Sequence, residues 1–130
     1  DALNGSYLVN HYWESDPNPA VQEFVQSYRK RYGATPDGLA ALAYDAAGVL
    51  TNAMQRLLKA DPKAFGSLLG PPNAEQKEAR AKLRDLIAST HDYPGVTGRI
   101  SLDERRNAVK TAVFLGIENQ GYKFVATVEP

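Results

Sequence analysis

Behind Asn18 and Pro19, the apolar residues Val21, Phe24, Val25, Tyr28 and Tyr32 recur at helical spacing, with Gln22, Glu23, Gln26, Arg29 and Lys30 on the other side. That single stripe predicts an amphipathic surface helix. Asn18 suits its N-cap, Pro19 its first position, and Gly33 its end. The next segment opens with Thr35-Pro36-Asp37, again a cap followed by proline at the first helical position. From Leu39 to Leu57 it reads Leu39, Ala40, Ala41, Leu42, Ala43, Ala46, Ala47, Val49, Leu50, Ala53, Met54, Leu57, leaving little polar face in its first half. A helix of that kind is buried on several sides. Pro62, Gly66, Gly70, Pro71 and Pro72 then predict an irregular connection over 59–73. Asn73 with Gln76 fits a helix-capping pair, opening a third helix that turns Ala79, Leu83, Leu86 and Ile87 inward and ends near Ser89-Thr90.

The β-forming stretches lie at the two ends. Residues 6–12 read as a short strand, followed by the polar, proline-broken loop 13–19. Beyond Pro94, residues 95–102 predict a turn into a strand, closed by the charged run Asp103 to Arg106. Thr111–Glu118 and Tyr122–Val128 are two further strands, joined by Asn119-Gln120-Gly121 as a three-residue hairpin with Gly121 at the positive-φ position. The order is β-α-α-α-β-β-β, an α/β chain without internal repeats.

With 130 residues, this is one domain or an interleaved part of a larger one. Fifteen basic and fifteen acidic side chains leave a formal net charge of zero, which argues against a nucleic-acid binder, since that needs a basic face. No apolar run approaches the roughly 18–20 residues that span a bilayer, so a soluble protein is expected. The absence of cysteine excludes a disulfide scaffold, a thiolate nucleophile and a Cys-ligated metal, and leaves the compartment open. The chain opens on Asp1, with neither an initiator methionine nor a signal peptide, and is expected to be a processed or excised piece.

Little of this points to catalysis. His11 and His91 lie far apart, and neither has a partner at metal-ligand spacing, so no metal or cofactor is expected. Gly95 and Gly98 lead into a strand rather than a helix, which suits backbone geometry better than a phosphate loop. Ser6, Ser67 and Ser101 sit in no nucleophile elbow. Glu14 and Asp16 are explained by capping and solubility. Asp45, inside an apolar helix, must either reach the surface or hold a neighbouring backbone, because a buried carboxylate needs donors. Tyr12 and Trp13 belong either to the core or to a cleft wall. The N-terminus of the 36–57 helix, with its free N–H groups, could meet a ligand, though a plain core helix explains it too.

Taken in order, four stretches resemble the C-terminal third of a known family. They are Gly5-Ser6-Tyr7-Leu8-Val9-Asn10-His11-Tyr12; Pro19 to Val25 with Tyr28 to Gly33; Pro36-Asp37 with Ala40 to Ala47; and Pro94-Gly95-Val96-Thr97-Gly98 with Ile100-Ser101 and Asp103. The family is the type I periplasmic solute-binding proteins of branched-chain amino acid ABC transporters, also called extracellular ligand-binding receptors. The resemblance covers nearly the whole chain and is weakest over 59–78.

It implies a two-lobed α/β receptor, joined by three crossovers and closing on a small ligand. Residues 1–33 and 108–130 would fall in the second lobe and 34–107 in the first, with the remainder supplied by the parent chain or by a swapped copy of this one. The implied protein is non-catalytic and exported to the periplasm, binds a small amino acid or related carboxylate, and delivers it to an ABC transporter permease. Most ligand-holding groups of the family lie upstream of Asp1. Within this chain the implied ligand-binding residues are Leu39 and Ala40, where members often carry an aromatic, and secondarily Tyr12 and Trp13. The small side chains imply a wider pocket or a different side-chain preference, which argues against a branched-chain amino acid. A sensor module of the same fold, an α/β enzyme and a purely structural module are the competing readings.

Overall fold

Hydrogen bonds from side chains to the ends of helices set the element boundaries in this computed structural model, which describes residues 2–130. The chain runs β1 (Tyr7–Asn10), α1 (Pro19–Tyr32), α2 (Gly38–Ala60), α3 (Pro62–Ser67), α4 (Ala74–Ala88), β2 (Tyr93–Gly95), β3 (Gly98–Leu102), β4 (Ala108–Val109), β5 (Ala112–Glu118) and β6 (Gly121–Val128). The predicted order holds, with short elements added.

Asn18 caps α1 by accepting from the Ala20 N–H, and Gly33 closes it in the left-handed conformation. The start of α2 differs from expectation. Asp37, not Thr35, is its N-cap, because the Asp37 carboxylate accepts from the Ala40 N–H while Thr35 Oγ1 is taken by Arg29. The segment expected to be irregular holds the short helix α3, capped by Asp61 through the Ala64 N–H, with Asp61 also paired to Lys82. That ion pair holds the Asp61 carboxyl below the usual carboxylate range. Asn73 caps α4 through the Gln76 N–H; the Gln76 amide donates instead to the carbonyls of Leu68 and Gly70, tying the 68–70 turn to α4. In the last hairpin both Asn119 and Gln120 carry positive φ, and Gly121 pairs with Glu118 as part of β6. The two-residue turn replaces the predicted three-residue one because two successive left-handed residues match the twist of the strands.

There are two antiparallel sheets among the described residues. One has the order β1-β5-β6, the other β2-β3-β4. Two core clusters serve the helical body. In the first, Val21, Phe24 and Val25 of α1 meet Tyr12, Ala41 of α2 and Val96 beyond β2. In the second, Leu57, Leu68 and Ala79 meet Phe65, Leu83 and Leu86, joining α2, α3 and α4. Each fully buried side chain of this size contributes about 1.5–3 kcal/mol. In the β1-β5-β6 sheet, paired residues Leu8 and Leu115, and Asn10 and Val113, share the inward face. Trp13 stacks on Phe124, the cross-strand partner of Leu115, with ring centroids 5.4 Å apart.

Candidate functional site

Residues 10–13, leaving β1, reach the head of α2 and fix it. The Tyr12 hydroxyl donates to the Pro36 carbonyl. Tyr12 is buried, and burial, helped by the nearby Glu14 and Asp37 carboxylates, pushes its hydroxyl pKa up to about 12. Asn10 places its side-chain oxygen against Gly38, leaving no room for a β-carbon there. Held in this way, α2 presents Leu39, 75% exposed, at its first turn. Ala40 packs against the first core cluster and lines a groove of about 400 Å³ between α1 and α2, walled by Phe24, Tyr28, Tyr32 and Tyr44.

Asp45, one turn further along α2, is 2% exposed. Its carboxylate accepts from the Val96 and Thr97 N–H groups, at 2.8 Å each, and so holds a neighbouring backbone. Gly95 is required beside it: a β-carbon there would lie 2.6–2.9 Å from the carboxyl atoms. Charge-assisted bonds to two main-chain donors satisfy a carboxylate that would otherwise be costly to bury. Lys110 donates to the Thr97 carbonyl at 3.3 Å, and burial holds its ammonium below the usual lysine range.

A small cleft of about 90 Å³ lies where the sheet, the 13–18 loop and the Gly95–Gly98 turn meet, lined by His11, Tyr12, Trp13, Asn18, Thr97, Thr111 and Thr127 among others. The four residues singled out from sequence thus fall into two pairs. Tyr12 and Trp13 border this cleft; Leu39 and Ala40 stand at the head of α2; and the Tyr12–Pro36 bond links them. In the loop, the Asp16 carboxylate accepts from the N–H of the cap residue Asn18, while the main-chain carbonyls of Glu14 and Asp16 accept from the Gln22 amide. Sequence reasoning placed Asn10 and Thr97 in the stretches that resemble the family but gave neither a role. The Gly-x-x-Gly spacing around Thr97 was the available signal for a tight turn, but nothing in it pointed to Asp45 as the partner.

Among the described residues, no group of three metal-ligating side chains comes together, and no helix is long and apolar enough to cross a membrane. What the geometry offers is a helix head held by Tyr12 and approached by Asn10, beside a polar crossing.

The model of the periplasmic binding protein family matches residues 1–121. The chain belongs to this family. Periplasmic binding proteins are extracytoplasmic, and the family is one of binding proteins rather than catalysts. Among solved structures, the leucine-binding protein LivK of Thermotoga maritima is similar at 30% identity and a TM-score of 0.72, over 100% of this chain and 32% of that one. A putative branched-chain amino acid ABC transporter protein of Rhodospirillum rubrum is similar at 30% identity and a TM-score of 0.68, over 95% of this chain and 31% of its own. A solute-binding protein of Rhodopseudomonas palustris in complex with benzoate shares the fold, with a TM-score of 0.72 at 21% identity over 99% of this chain and 31% of its own. No curated protein matches the sequence. The chain therefore spans about a third of the length of these related structures.

Proposed function

We propose that these residues are the C-terminal part of a two-lobed receptor that binds a small amino acid or related carboxylate and delivers it to an ABC transporter permease. The observation that carries this reading is the family match over residues 1–121, together with a fold shared along the whole chain with a leucine-binding protein. The β1-β5-β6 sheet would belong to the second lobe, and α2 to α4 with the β2-β3-β4 sheet to the first. Sequence expectation put residues 1–33 in the second lobe; the core that α1 shares with α2 favours carrying α1 with the first. Ligand would touch Leu39 and Ala40 at the head of α2. Tyr12, sealed from solvent, would act by holding Pro36 in place, and Trp13 by fixing the crossing to the sheet. A ligand bridging the two lobes stabilises the closed form by contacts that the open form lacks.

The small side chain of Ala40 leaves room that an aromatic residue would fill, which favours a ligand bulkier than a branched-chain amino acid. In the intact receptor, Leu39→Trp and Ala40→Trp are expected to weaken binding about tenfold; the exposed Leu39 can take the ring without disturbing the helix, whereas at Ala40 the ring also presses on the first core cluster, so the stability of that variant is measured beside its affinity. Thermal shift against a panel of amino acids and carboxylic acids, on protein stripped of carried-over ligand, identifies the ligand, and titration then gives the affinities. Unchanged affinity in both variants would remove the head of α2 from the site. No shift with any compound would count against the receptor reading itself.

A further inference from the structure

The chain passes between its two sheets twice, at residues 11–18 on leaving β1 and at Lys110-Thr111 on returning to β5, and both passages meet the Gly95–Gly98 turn. The turn is held from both sides. Its Val96 and Thr97 N–H groups bind Asp45 of the helical body, while its Thr97 carbonyl accepts from Lys110 on the returning passage. Gly98, at φ +107°, lies so close to Thr111 that a β-carbon would come within 2.5 Å of the hydroxyl. Between these restraints sits the Thr97 side chain, 3% exposed, whose Oγ1 has no hydrogen-bond partner among the described residues. That oxygen is enclosed, so no group from elsewhere reaches it without movement of the crossing. A buried hydroxyl without a partner carries a desolvation cost that a bonded one does not. Here the cost is borne where two bodies join.

We propose that Thr97 is the positioning residue of the crossing between the bodies: turning the β1-β5-β6 sheet away from the helical body opens the cleft and gives the Thr97 hydroxyl a partner, which biases the molecule toward the turned arrangement. The hydroxyls of Thr111 and Thr127, which line the same cleft, and admitted water are the available partners. Asp45 keeps the Thr97 backbone fixed to α2 throughout, so the motion is read against the head of that helix. The inference rests on the two-lobed receptor reading, because it needs lobes that move.

The test uses the intact receptor with spin labels at Arg80→Cys on α4 and Lys123→Cys on β6, both exposed, in a stretch that has no cysteine of its own. The distance distribution is measured without ligand. Thr97→Val, which keeps the shape and removes the hydroxyl, takes away that bias and is expected to shift the population ratio about five- to tenfold away from the turned arrangement and toward the one in this structure. Thr97→Ala should shift it the same way, and Thr97→Ser should reproduce the wild-type distribution. Identical distributions in all four proteins would overturn the proposal. So would a loss of thermal stability in Thr97→Val with no change in distance, which would mean that the side chain only fills space. Titrating wild type with the ligand panel tests the receptor reading separately: distances that answer to Thr97→Val but to no ligand would sink that reading and leave the crossing.

Discussion

The helical body and the β1-β5-β6 sheet leave different kinds of surface open. In the helical body every helix start is capped by a side chain, from Asn18, Asp37, Asp61 and Asn73, and the buried Asp45 is bonded to two main-chain donors. Its open face is apolar, a groove of about 540 Å³ between α2 and β3 lined by Leu42, Val49, Leu50, Ile100 and Leu102. The sheet buries Val113 and Leu115 on one face and leaves Tyr7, Val9, Val125 and Val128 exposed on the other. Apart from the Thr97 hydroxyl, buried polar demands are met within the segment, because an unpaired buried group is costly wherever it lies. Apolar area can instead be covered by another stretch of chain, and on the proposed receptor reading the remaining chain buries both open faces.

The largest effect should come from breaking the closed polar junction. Gly95→Ala drives a β-carbon into the Asp45 carboxylate, and either the turn or the carboxylate must move, with loss of at least one charge-assisted bond. A cost of about 3 kcal/mol is expected, read from the urea midpoint of the intact protein. A change below about 1 kcal/mol would show that the junction tolerates displacement. Tyr12→Phe is a milder cut at the same body, removing the bond to Pro36 for about 1 kcal/mol. Its pH signature is separate. Because the Tyr12 pKa is raised in the folded protein to about 12, its share of stability is full below pH 10 and is lost as pH rises toward 12. The wild-type minus Tyr12→Phe difference should therefore shrink over that window and stay constant between pH 6 and 9.

How far the sequence could carry this account depends on range. The α1 stripe, the Asn18 and Asn73 caps and the Gly33 stop are local signals, and each is found where its neighbours place it. The start of α2 lies two residues later than expected because Thr35 and Asp37 are both good caps, and the choice falls to Arg29 in the last turn of α1, whose guanidinium donates to the Thr35 hydroxyl. The helix α3 hid behind its glycine and prolines; it forms because Asp61 caps it and Phe65 packs on the second core cluster. At the site, Asp45 was legible as a carboxylate in need of donors, but its donors lie more than fifty positions away. Leu39 and Ala40 were marked by resemblance alone. The Thr97 environment depends on three segments meeting, which no window of sequence displays.

The smallest expected effect is also the one that separates the two kinds of surface. Val9 is 60% exposed, and its side chain sits on the outward face of β1, beside that of Phe114. Placing Val9→Lys on an open face costs little, within about 0.5 kcal/mol, because the longer chain can keep its ammonium in water. If the rest of a receptor covers that face, the same substitution buries a charge without a partner and should cost about 2 kcal/mol or more. Urea unfolding of the 130-residue piece and of the intact receptor, each with and without Val9→Lys, gives the two values. A large cost in the intact protein alone would mark the outward face as covered by the remaining chain. Equal small costs in both would leave that face exposed in the finished protein and confine the burial of apolar surface to the α2–β3 groove.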